Sequence, residues 1–212
     1  MQRLEPPRPL DWALLGVAAA VGTCVLLLSR WDGGMLGENG PVEIAQLAFL
    51  ALASVFFLRG GLRLPEWGGL SALSLAALSM LFFVREVPRC TSPYYEFGPC
   101  IDNGYKDTIY LLVVVAVIGW SLLNRGVRPA RFGRAQFGQL PAFIVKLAPL
   151  LILVPLIGIS QLGDKWNLPG LEEALELVGY MVVTFFGLLA AQAGDRQAAW
   201  SSRHMRLGRA PS

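Results

Sequence analysis

Long apolar segments alternate with short polar ones along the whole chain. Six segments are almost entirely hydrophobic, and each approaches the ~20 residues that a helix needs to cross about 30 Å of hydrocarbon. None alternates between polar and apolar residues as the strands of a membrane barrel do. The pattern predicts an all-α polytopic membrane protein with six transmembrane helices in one domain, residues 1–195, followed by a basic cytoplasmic tail, residues 196–212. The predicted helices cover residues 12–29, 41–58, 68–84, 108–123, 140–160 and 171–193.

The composition agrees with this pattern. Hydrophobic residues make up 54% of the 212 residues and charged residues only 16%, and the mean hydropathy is +0.51. A soluble domain of this size carries more charge.

The charged residues are divided between the two sides of the predicted membrane domain. With the N-terminus in the cytoplasm, 13 of the 18 Lys and Arg residues fall on the cytoplasmic side, and 11 of the 15 Asp and Glu residues fall on the other side. The positive-inside rule then places both termini in the cytoplasm. We expect the basic side to contact membrane lipids. We expect no nucleic-acid partner, because the chain contains no nucleic-acid-binding motif.

One cytoplasmic loop is especially basic. Its four arginines recur every third residue and form either a lipid-facing topological anchor or a lipid-headgroup site. They are Arg125, Arg128, Arg131 and Arg134.

The longest outer loop, residues 85–107, contains Cys90 and Cys100. We expect a disulfide between them, because the outer compartment is oxidising under this topology. A redox or metal-binding pair is the alternative, although a ten-residue spacing without a nearby His matches no usual ligand pattern. The aromatic residues between the cysteines form either an interfacial belt or a surface for a ligand or partner. The remaining cysteine, Cys24, is expected to be a small buried residue of the first helix.

The only histidine, His204, lies in the tail, far from every predicted membrane segment. Bis-histidine haem, zinc proteolysis of the HExxH type and Ser–His hydrolysis all need imidazole at the site. The sequence also lacks a glycine-rich phosphate-binding loop with Lys, so we expect no nucleotide hydrolysis.

Ionisable residues cluster at the outer ends of four predicted helices. The apolar run after Glu43 spans only 15 residues, about 22 Å at ~1.5 Å per residue, which draws Glu43 below the membrane interface. Gln46 and Tyr110 lie one turn deeper than the acids on their helices. The candidate site residues are Glu43, Arg85, Glu86, Asp107, Glu172, Glu173 and Glu176.

Two interpretations of this cluster remain open. Pro41 suits the first position of a helix, so Glu43 could simply cap its N-terminus. Glu176 lies about two turns into its helix, where capping does not apply, and a carboxylate at this depth is typical of a functional site. Such a cluster can bind a cation through oxygen ligands, or one acid can retain a proton.

Three short segments resemble patterns in small uncharacterised polytopic membrane proteins of bacteria. They are ENGPVE at the start of the second helix, FFVRE at the end of the third and LEEALELVG at the start of the sixth. The resemblance implies a bacterial inner membrane. It also implies that Glu43, Arg85, Glu86, Glu173 and Glu176 form one site, but it implies no activity.

The sequence therefore favours an integral inner-membrane protein whose acidic cluster, together with Arg85, faces the periplasm. The cluster would bind protons or cations for transport or for an accessory role in a membrane complex. An enzyme acting on a lipid or polyprenyl headgroup is one alternative, so enzymatic activity stays open. A structural subunit that binds a partner through residues 85–107 is another. We expect no organic cofactor, whereas a divalent cation is possible.

Overall fold

The computed structural model describes residues 9–29, 40–64, 66–92, 100–123 and 169–207, and most of these are helical. They form five α-helices and no strand, apart from an isolated bridge between Arg89 and Ile101. The all-α prediction is confirmed for this part of the chain. The helices are α1 (Pro9–Ser29), α2 (Pro41–Arg63), α3 (Glu66–Glu86), α4 (Asn103–Leu123) and α5 (Pro169–Leu207).

Each helix contains one predicted apolar segment and extends beyond it. α2 begins at Pro41, as predicted, but continues from residue 58 to Arg63. α5 continues to Leu207, so the first part of the predicted tail is a continuation of the last helix. The reason is that hydropathy marks the part of a helix that suits the bilayer, whereas backbone hydrogen bonding can continue into polar sequence. The predicted helix 140–160 and the four loop arginines lie outside the described residues.

Within the part of the chain that the structure describes, three stretches of helix have the length and apolar composition needed to cross a membrane: Pro41–Arg63, Gly68–Glu86 and Leu171–Ala199. Large apolar side chains such as Ile44 and Val55 are exposed on α2. Exposed apolar surface of this kind is unfavourable in water but suits contact with lipid. The structure is therefore consistent with a membrane protein, and the six-span topology stays a prediction.

α2 is packed between α3 and α5, while α1 packs on α5 and α4 on α3. The buried core joins Ala53 and Phe57 of α2 to Ala72 and Ala76 of α3. Val183, Phe186 and Ala190 of α5 pack against the same cluster. These contacts fix α2, α3 and α5 as the centre of the described bundle.

Small residues bring α2 and α5 close together. A Cβ atom added to Gly60 would lie 2.8 Å from backbone atoms of Ala190, and one added to Gly187 would lie 3.2 Å from the carbonyl oxygen of Ala53. Small residues at helix interfaces permit such close approach in membranes. The resulting register determines which polar side chains meet at the two ends of the bundle.

Residues 87–102 connect α3 to α4. Cys90 and Cys100 form the predicted disulfide, with their Cα atoms 5.0 Å apart. The Ile101 N–H also donates to the carbonyl oxygen of Pro88 at 2.9 Å. The loop is thus closed by both a covalent and a backbone contact, and its aromatic residues 94, 95 and 97 lie outside the described residues.

The prediction that Cys24 is buried is wrong, because its side chain is exposed on α1. The face of α1 that meets α5 instead carries Gly22. A Cβ atom added there would collide with the side chain of Val178, so any larger residue at this position would force Val178 to shift.

Candidate functional site

Charged residues from four helices meet at one end of the bundle, which we call the acidic end. It comprises the starts of α2, α4 and α5 and the end of α3, because α3 runs antiparallel to the other three. Its members are Glu43, Gln46, Arg85, Glu86, Lys106, Glu172, Glu173, Glu176 and Tyr180.

Arg85 lies between two carboxylates. Its Nη2 atom donates to Glu176 Oε1 at 2.6 Å, and its Nε atom donates to Glu86 Oε1 at 2.8 Å. The guanidinium also lies 5.5 Å from the centre of the Phe82 ring, within the range of a cation–π contact. One cation therefore serves two acids on different helices.

These carboxylates are largely shielded from solvent, whereas their cation is not. The Glu176 side chain is 9% exposed and that of Arg85 is 44% exposed. Neither carboxylate retains full hydration. The charge on each therefore depends on the guanidinium of Arg85 for its stabilisation. The sequence predicts that Arg85, Glu86 and Glu176 belong to one site, and in the structure Arg85 contacts both glutamates directly.

Tyr180 completes this group, and the sequence analysis did not identify it. Its hydroxyl donates to Glu86 Oε1 at 2.8 Å and accepts from Arg85 Nη2 at 3.4 Å. The available signal was spacing: Tyr180 follows Glu176 by four residues, so both lie on one face of α5.

A second contact joins α2 to α5. The Gln46 Nε2 atom donates to Glu173 Oε2 at 2.8 Å and to the carbonyl oxygen of Glu173 at 3.1 Å. Gln46 is 0% exposed. Among the described residues, Glu173 makes no ion pair, and its carboxylate is instead bonded to this neutral amide.

Lys106, rather than the predicted Asp107, is the buried residue at the start of α4. Its Nζ atom donates to the backbone carbonyls of Arg85 and Val87, so it caps the end of α3. Burial lowers the pKa of the Lys106 ammonium and the charge of Arg89 lowers it further, while Glu86 and Glu43 oppose this shift. Asp107 is exposed on α4, and no contact within the described ranges joins it to the network.

Glu43 and Glu172 are half-buried at the same end. Both carboxylates take part in the polar network of this end. The charge of Glu43 interacts with Lys106 and Glu173, and the charge of Glu172 interacts with Glu176. The network therefore extends over α2, α3, α4 and α5.

The opposite end of the bundle, which we call the basic end, has the reverse arrangement. Asp195 of α5 pairs with Arg59 at 2.9 Å and with Arg63, both from α2. Glu176 and Asp195 are nineteen residues apart on α5, about 28 Å along the helix axis. The two ionic groups are therefore separated by roughly one hydrocarbon thickness, about 30 Å.

Within the described ranges, no group of three or more His, Cys, Asp or Glu side chains is placed to hold a metal ion. The carboxylates of the acidic end are instead bonded to a guanidinium, a phenol and an amide. The cation-binding alternative therefore has no candidate ligand set there.

Comparisons of the chain with protein-family models, with curated proteins and with solved structures find no match.

Proposed function

We propose that the acidic end is a proton-binding site of an integral membrane protein, with Glu173 as the residue that gains and loses the proton. The observation that carries this proposal is the difference in pairing among the glutamates. Glu86 and Glu176 share Arg85, whereas Glu173 is bonded to the neutral Gln46 amide. A carboxylate paired with a cation keeps its charge, and one without such a partner can exchange a proton more readily.

The site serves proton-coupled transport or an accessory role in a membrane complex. Intramembrane carboxylates that face a helix bundle are characteristic of proton relays. The aromatic loop within residues 85–107 would provide the surface for a partner protein in the accessory case.

The protein lies in a bacterial inner membrane, with the acidic end toward the periplasm and both termini in the cytoplasm. The positive-inside bias supports this orientation, and so does the disulfide between Cys90 and Cys100 at the acidic end, since disulfides persist in oxidising compartments. Arg59 and Arg63 then contact anionic lipid headgroups on the cytoplasmic side. A periplasm-active reporter fused at residue 130 should be silent, and activity there would reverse the orientation.

Proton uptake by the purified protein tests the site itself. After a rapid drop in pH, detergent-solubilised protein should bind about one proton more than the Glu173→Gln variant, measured with an indicator dye. Glu172→Gln is the matched control, because it removes a neighbouring carboxylate and leaves the Gln46 contact intact. Equal uptake by the unmodified protein and Glu173→Gln would exclude Glu173 as the proton-binding residue.

Proteoliposomes separate the two uses of the site. If it serves transport, the protein should speed the collapse of an imposed pH gradient, and Glu173→Gln should abolish that increase. An accessory subunit should bind the proton without this flux and should copurify with a partner in a mild detergent.

A further inference from the structure

Gln46 is the most deeply buried polar side chain at the acidic end, and only half of its amide is used. Nε2 donates to the Glu173 carboxylate and to the Glu173 carbonyl oxygen. Oε1 is buried and has no hydrogen-bond donor within the described part of the chain. Buried polar atoms are nearly always paired, so this vacant acceptor next to a carboxylate needs an explanation.

A protonated carboxyl would supply the missing donor. The ionised carboxylate only accepts hydrogen bonds, whereas the neutral acid has one O–H donor and still accepts at its other oxygen. A primary amide has the complementary pair, an N–H donor beside a carbonyl acceptor. The two groups can therefore form two parallel hydrogen bonds, in which the acid O–H donates to Oε1 and Nε2 continues to donate.

We propose that Gln46 is a positioning residue that recognises the protonated form of Glu173 through this two-bond acid–amide pair. The inference rests on the proposed function and deepens it, because it identifies the group that holds the proton-loaded state. The proton enters from water on the side of the acidic end and forms the O–H bond on Glu173. The bond from Nε2 to the Glu173 carbonyl oxygen keeps the amide oriented for both states.

The charged groups of the acidic end lie on four helices, and of these Glu43, Glu86 and Glu176 act electrostatically on Glu173. The groups besides Glu173 are Glu43 of α2, Arg85 and Glu86 of α3, Lys106 of α4, and Glu172 and Glu176 of α5. The side chains of α1 that the structure describes include no acidic or basic residue. Arg85 is already engaged by Glu86 and Glu176, and among the described residues the side chain bonded to the Glu173 carboxylate is that of Gln46.

Infrared difference spectroscopy of the carboxyl C=O stretch during a pH titration tests the proposal. A band of the protonated acid that is missing in Glu173→Gln identifies the residue. In Gln46→Met, which keeps the side-chain length but removes both hydrogen bonds, this band should move to higher frequency. As the pH rises, the band should also disappear at a pH about one unit lower than in the unmodified protein, which corresponds to a tenfold loss of proton affinity at Glu173.

Gln46→Glu provides the rescue. Its own protonated carboxyl can form the same two-bond pair, so at low pH the Glu173 band should return close to its original frequency. Thr184→Val is the matched control, because it removes another hydrogen bond from α5 to α2, the one to the Phe49 carbonyl oxygen at 2.7 Å, far from Glu173. It should leave the band and its midpoint unchanged.

The outcomes distinguish the two levels of the account. Loss of the band in Glu173→Gln, together with an unchanged frequency in Gln46→Met, would overturn the role of Gln46 and keep the proton site. A midpoint that rises in Gln46→Met would also contradict the proposal, because Gln46 would then serve the ionised form. If Gln46→Met does not fold, a Gln46→Glu band displaced from the original frequency at low pH overturns the proposal. A titrating band that persists in Glu173→Gln would refute the proposed function itself.

Discussion

The two ends of the bundle use the same residue types in opposite ways. At the acidic end one arginine lies between two glutamates, and at the basic end one aspartate lies between two arginines. The difference is burial: Glu176 is 9% exposed, whereas Asp195 is 41% exposed. Ion pairs in water contribute little to stability, but a largely buried carboxylate depends on its partner. The comparison therefore predicts that the stability of the acidic end depends on its ion pairs more than that of the basic end does.

Close packing, rather than ion pairing, is expected to hold the basic end together. Gly60→Leu would force a side chain into the backbone of Ala190, and we expect it to destabilise the protein by about 3 kcal/mol. Thermal unfolding in detergent measures this. Gly119→Leu is the control, because no atom of the described residues lies within 4 Å of a Cβ added at Gly119. Equal stability of the two variants would contradict the α2–α5 register.

Removing the shared cation should affect the acidic end strongly. Arg85→Gln leaves Glu86 and Glu176 without their cation, and we expect it to lower the free energy of unfolding by about 2 kcal/mol. This is less than the ~3–5 kcal/mol lost when one partner of a fully buried pair is removed, because Arg85 is partly exposed. The loss should shrink as the pH falls, since protonation removes the repulsion between the carboxylates. Chemical denaturation at several pH values measures it. Arg85→Lys should retain most of the stability, and a pH-independent loss would argue against the charge explanation.

This arrangement could be predicted only in part from the sequence. The positions of the apolar runs place Glu43, Arg85 and Glu176 at one level, because helix lengths are set by membrane thickness. They could not choose between neighbours on α4, where Lys106 is buried and Asp107 exposed. That choice depends on the rotation of α4 against α3, which apolar segments of nearly uniform hydropathy leave undetermined.

The hydroxyl of Tyr180 should contribute less than the cation. Tyr180→Phe removes one hydrogen bond to Glu86 while keeping the ring against Phe82. We expect the free energy of unfolding to fall by about 1 kcal/mol. A hydrogen bond between membrane helices contributes somewhat less than this on average, and a charged acceptor such as Glu86 increases the contribution. The same unfolding assay applies. A loss as large as that of Arg85→Gln would mean that the hydroxyl, and not the arginine, organises the acidic end.

The smallest effect should come from the basic end. Asp195→Asn removes both ion pairs there, but the partners are exposed and remain hydrated, so we expect a change below about 0.5 kcal/mol. Any difference should disappear at high salt. A loss comparable to that of Arg85→Gln, measured in the same detergent, would remove the distinction between the two ends.

Carboxyl infrared titration of both ends in parallel tests the central claim most directly. If the acidic end binds the proton, the band of a protonated carboxyl that disappears as the pH rises should be absent in Glu173→Gln and unchanged in Asp195→Asn. A band that persists in Glu173→Gln, or one that is lost in Asp195→Asn, would contradict the account.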